Sequence, residues 1–132
     1  MADTVDSKVL FAGTRRRVVK LTNISDGTGE SDVVKVDVSA LIGPDGSAPT
    51  SVAIEEVQWS IQGFTSVRFE FDATTDDEAL TLSAGNGFMN FRDVGGVVDP
   101  KSTGTTGDLL LTTAGAVSGA TYDITLVLRL KD

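Results

Sequence analysis

Two residue types are missing from this chain of 132 residues: it has no cysteine and no histidine. Without cysteine there is no disulfide, thiolate zinc site, iron–sulfur cluster or cysteine nucleophile. Without histidine the commonest general base, the commonest metal ligand and the usual partner of a catalytic serine are gone as well. Aromatic residues are scarce, with six phenylalanines, one tryptophan and one tyrosine, too few for the ring platforms that usually line a sugar-cleaving cleft. No apolar run reaches the roughly 18 residues of a membrane span. The opening Met1-Ala2-Asp3-Thr4 lacks the charged and then apolar pattern of a leader peptide. The expectation is a non-enzymatic protein with no cofactor, no secretion signal and no membrane partner.

Positive charge is also in short supply: 11 basic residues stand against 19 acidic ones, for a formal charge of −8. Nucleic-acid binding draws on cationic neutralisation of phosphates, so nucleic acid is not expected as a partner. The balance is uneven along the chain. Residues 38–132 hold 5 basic and 13 acidic residues, whereas residues 1–37 are neutral overall and contain the run Arg15-Arg16-Arg17.

What is present is a β signature. Apolar residues recur with a period of two between short stretches rich in glycine, serine and threonine. The clearest case places Tyr122, Ile124, Leu126, Leu128 and Leu130 on one face, with Asp123, Thr125, Arg129 and Lys131 on the other. Val19 with Leu21, Val34 to Val38, and Val67, Phe69 and Phe71 give the same reading. In Val52 to Ile61 the apolar phase changes, which predicts a β-bulge near Glu55-Glu56. Leu80 with Leu82, Phe88 to Phe91 and Leu109 to Leu111 complete about eight strands. Turns are expected at residues 25–29, 43–46, 84–87 and 104–108, and single helical turns fit residues 38–42 or 76–80. The predicted fold is one all-β domain over residues 1–132, an antiparallel, jelly-roll-like β-sandwich. Residues 1–10 form an extended amino-terminal arm that orders only against a neighbour.

Several segments, taken together and in order, resemble a group of small structural proteins of tailed-bacteriophage virions. They are Leu21-Thr22-Asn23-Ile24-Ser25-Asp26-Gly27-Thr28-Gly29-Glu30-Ser31, Lys35-Val36-Asp37-Val38-Ser39-Ala40-Leu41, Phe71-Asp72-Ala73-Thr74-Thr75-Asp76-Asp77, and Thr106-Gly107-Asp108 through Leu111-Thr112-Thr113. The resemblance implies a capsid decoration or cement protein, made in the bacterial cytoplasm, that adds to the outside of a preassembled shell. It implies contacts with the major capsid protein and with copies of itself, commonly as a trimer. Tail, connector and baseplate proteins share such folds, and a carbohydrate-binding module is the rival from another class.

The candidate contact residues follow from charge and aromaticity. Arg15, Arg16 and Arg17, with Lys8 and Lys20, either dock onto an acidic surface through guanidinium–carboxylate pairs or guard a sheet edge against aggregation. Phe64, Phe88 and Phe91 lie near glycines, where one or two of them can anchor an interface. Arg92 opens the long, weakly patterned stretch 92–102, a second contact region. Two carboxylate groups, Asp72, Asp76, Asp77 and Glu78, and Asp26, Glu30 and Asp32, hint at calcium. Neither has the twelve-residue ligand loop, so solvated turns with carboxylates capping backbone amides are expected instead of a metal site.

Overall fold

A computed structural model describes residues 3–131. The chain is all-β, with eight antiparallel strands. They are β1 (Thr4–Ala12), β2 (Arg16–Asp26), β3 (Val33–Val36), β4 (Ser51–Phe71), β5 (Asp77–Asn90), β6 (Val97–Val98), β7 (Leu109–Ala114) and β8 (Ser118–Lys131). Single 3-10 turns occupy Val38–Ala40 and Arg92–Val94. The main path runs β1-β2-β8-β4-β7-β3, and β5 and β6 add to β4.

The 21-residue β4 organises the whole molecule. Its first part pairs with β8 from Ser51 to Gln62, its last part pairs with β7 from Ser66 to Phe71, and β5 runs beside both. One strand therefore serves both walls of a curled, sandwich-like sheet. The corner falls at Gly63, whose φ of 88° suits glycine, and an added Cβ there would lie 2.8 Å from Ala120.

Between the walls lies a single apolar core. It draws Val19 and Leu21 from β2, alternate residues of β4, Leu80 and Leu82 from β5, Leu109 and Leu111 from β7, and the even-numbered face of β8. Trp59 packs at its margin over Gly87, where a Cβ would come 2.7 Å from the indole. The pairing Ile54–Leu128 is followed by Glu56–Val127, so Glu55 is the extra residue of a bulge. That is where the apolar phase changes.

Several expectations are corrected. The segments 52–61 and 67–71 are one strand, not two, because Gly63 bends the chain without reversing it. The glycines at 84–87 lie within β5, and residues 77–80 begin that same strand, so neither is a turn. Thr4 to Val9 of the expected arm pair with β2 as part of an edge strand that continues past a bulge at Leu10, and Met1 and Ala2 lie outside the described residues. The stretch 92–102 is tied down by its 3-10 turn, by β6, and by buried Asp99, which accepts from the Lys101 amide and the Thr105 hydroxyl.

Candidate functional site

Antiparallel pairing of β2 with β8 sets Arg16 directly opposite Arg129, and the Leu130 amide donates to the Arg15 carbonyl. The β1–β2 turn thus meets the end of the last strand. Thr50 donates its amide to the Lys131 carbonyl and accepts a hydrogen bond from Lys101 Nζ, which brings a sixth cation to the same end. Six of the 11 basic residues, Arg15, Arg16, Arg17, Lys101, Arg129 and Lys131, gather here. Only Arg16 among them has a carboxylate partner within the described residues: its Nε lies 2.8 Å from Glu55 Oε1, on a side chain 6% exposed. Exposed Phe11 and Ile42 sit among these cations, lining shallow grooves with Arg15 and Arg129, and with Arg17 and Leu130.

Like charges placed opposite each other on a sheet repel. The bulge makes the arrangement possible by turning buried Glu55 toward Arg16. The remaining cations keep their donors available to an anionic surface.

A second feature lies on the outward face of the same wall. Lys20, Thr125, Gln58 and Phe88 form one row across β2, β8, β4 and β5, and Asp123, Ser60 and Asn86 form the next. With Trp59 and Gly87 they line an open groove of about 410 Å³. Lys20 pairs with Asp123 at 3.2 Å, and Phe88 is 56% exposed.

A third group is internal. Glu30 Oε2 meets Lys35 Nζ at 2.6 Å, with both side chains more than nine-tenths buried. Glu30 Oε1 accepts from Asn23 Nδ2 and from the Tyr122 hydroxyl. Burial, reinforced by that hydrogen bond to Glu30, pushes the Tyr122 hydroxyl far above the usual tyrosine range. Beside this group, Asp3 accepts from the Asn23 and Ser25 side chains and from the amides of Asp26 and Gly29. Desolvation of its carboxyl works to raise its pKa, but these four donors outweigh it and hold Asp3 well below the usual carboxylate range.

Carboxylates of Asp32, Glu70 and Asp76 approach within 4.8 Å of one another. They combine members of the two acidic groups seen in the sequence with Glu70, which belongs to neither. Thr112 Oγ1 bridges Asp32 and Glu70, and Asp76 caps the Ala73 amide.

The candidate contact residues therefore separate. Arg15, Arg16 and Arg17 mark the basic end, and Lys20 and Phe88 line the outer groove. Arg92 pairs with Glu56 on the same outer face, beside Asn90. Phe91 is half-buried against the core. Phe64 is 2% exposed and packs against Tyr122 with ring centroids 5.8 Å apart, so it is a core residue and not an interface anchor. Arg129, Lys131 and Lys101 were missed because they join the arginine run only through strand pairing. Alternation along β8 placed Arg129 and Lys131 outward, and its antiparallel register to β2 supplies the rest.

Among the described residues, no helix is long and apolar enough to cross a membrane. No family model matches the chain, and no curated protein matches it.

Proposed function

We propose that this protein is a non-catalytic building block of a tailed-phage particle, of the decoration or cement kind. In this reading its basic end docks onto an acidic surface of the major capsid protein. The observation that carries the docking is the gathering of six cations at one end of a chain with a formal charge of −8. Self-repulsion disfavours such a cluster, while a complementary acidic surface gains both attraction and orientation from it. Phe11 and Ile42 add apolar area that a protein partner can cover. The acidic remainder of the molecule opposes approach to nucleic acid. The assignment to a phage particle rests on the segment resemblance. Many identical small contacts around a shell would sum to a large resistance to its opening.

The test is incorporation into particles. Wild-type protein is expected on shells in many copies, and the double variant Arg15→Glu, Arg129→Glu is expected to stay folded and unincorporated. Undiminished incorporation of the variant overturns docking through this end. A handful of copies confined to the tail favours a tail, connector or baseplate component.

A second reading, carbohydrate binding, draws on the outer groove. Its exposed Phe88 ring beside Gln58, Asn86 and the Lys20–Asp123 pair offers a stacking face next to polar donors and acceptors. A glycan array without hits, or hits unchanged by Phe88→Ala, removes it.

A further inference from the structure

The strand β1 is an anomaly of burial: all nine of its residues are exposed, although it pairs with β2 from Thr4 to Val9 and again, past a bulge at Leu10, at Phe11 and Ala12. It ends the strand order, so no strand pairs with its outer N–H and C=O groups, and the Ser7 amide donates to the Asp6 side chain at 2.9 Å instead. Val5, Ser7 and Val9 stand opposite Asn23, Leu21 and Val19, the inward-facing residues of β2, yet Val5 and Val9 remain about half exposed because the core ends beneath β2. On the other face, Asp6 is opposite Thr22 and Lys8 is opposite Lys20, a like charge already engaged by Asp123, while Asp6 and Lys8 make only a loose, solvent-exposed contact with each other at 4.0 Å.

The segment Val5-Asp6-Ser7-Lys8-Val9 reads as its own antiparallel complement. We infer that β1 pairs with β1 of a second copy about a two-fold axis through Ser7, joining the two sheets into one. In that register each Val5 meets a Val9 on the inward face, and each Asp6 meets a Lys8 on the outward face. Facing pairs i and j on antiparallel strands are the unit of sheet stabilisation, and opposite charges and apolar partners are the favourable ones. Two-fold symmetry makes every such contact occur twice. Pairing also gives the edge's outward backbone groups strand partners, the Ser7 amide exchanging its contact with Asp6 for one, and adds apolar neighbours to Val5 and Val9. Shifting the register by two residues brings Asp6 against Asp6 or Lys8 against Lys8, and a shift by one puts apolar against charged side chains. The opposite end of the main path is not matched to itself in this way: β3 is Val33-Val34-Lys35-Val36, with Lys35 turned inward to Glu30. The inference stands independently of the phage reading, since it uses only β1 and its neighbours.

The decisive experiment is sedimentation equilibrium of the full chain, with circular dichroism to confirm folding. Wild-type protein is expected at twice the 13.8 kDa chain mass. Asp6→Lys and Lys8→Asp, each placing like charges in both pairs, are each expected to weaken the dimer by about tenfold or more. The double exchange, Asp6→Lys with Lys8→Asp, is expected to restore it. Ser7→Cys, the single cysteine of its chain, is expected to form a disulfide-linked dimer under mild oxidation. A monomeric wild type, a trimer of the kind the segment resemblance implies, or single variants that dimerise like wild type overturns the inference. Failure of the folded double exchange to recover does so too.

Discussion

Lys35 Nζ lies 2.6 Å from Glu30 Oε2, and neither side chain reaches solvent to more than 7%. Taking one partner from a buried pair strands the other charge, at a cost of about 3 kcal/mol. Lys35→Met is therefore expected to lower the melting temperature by roughly 10 °C. Adding Glu30→Gln to that variant is expected to return part of the loss, because the amide can still accept from Tyr122. Calorimetry of the two variants compares them directly.

The arginine run divides by role. Arg16→Ala leaves the Glu55 carboxylate buried without its partner and is expected to cost about 2 kcal/mol. Arg15→Ala, at an exposed position with no carboxylate beside it among the described residues, is expected to stay within about 0.5 kcal/mol of wild type. Urea denaturation measures both. Equal losses would mean that Glu55 finds another donor.

At the corner of β4, Gly63→Ala puts a side chain on a backbone with φ of 88° and drives its Cβ against Ala120. Strain and overpacking together predict a loss of about 3 kcal/mol, readable in the denaturation midpoint. Ala120→Gly in the same chain is expected to relieve the contact but not the backbone strain.

Acid stability depends on opposing groups. Burial, helped by Asp32 and Asp76 and opposed by Arg68, holds the Glu70 carboxyl above its usual range, and burial does the same for Asp108. An acid whose pKa is raised by folding destabilises the native state once it is ionised, and that penalty lifts as the pH falls through its folded pKa. Glu70→Gln is therefore expected to raise the melting temperature at neutral pH, with the gain gone by about pH 4. Asp3 acts in reverse: its depressed pKa contributes stability above the ordinary aspartate range that drains away as the pH falls below it. A pH series of melting curves for Glu70→Gln and Asp3→Asn separates the two directions.

Much of the fold was legible because alternation is a local property. The even face of β8, the bulge at Glu55 and the turn at 43–46 each follow from a few adjacent residues, whereas the turn expected at 25–29 starts later, because β2 runs on to Asp26. Continuity was harder to read. Glycines at 63 and 85 carry the composition of turns, yet flanking strands bend through them, since a positive φ permits a kink as readily as a reversal. The basic end was half legible: Arg15 to Arg17 are contiguous, whereas their union with Arg129, Lys131 and Lys101 depends on non-local pairing. Phe64 misled because a glycine neighbour suggested a strand end, when Gly63 in fact turns the ring into the core beside Tyr122.

The place of β8 between β2 and β4 also has a mechanical consequence. Arg16 and Arg129, at the basic end, sit on strands whose ladder hydrogen bonds run perpendicular to the chain. A pull along β8 from Arg129 that is resisted through β2 and β4 loads the β2–β8 and β8–β4 ladders in shear, so their bonds share the force together and do not open one after another. The central strands are thus arranged to behave as a tie rod.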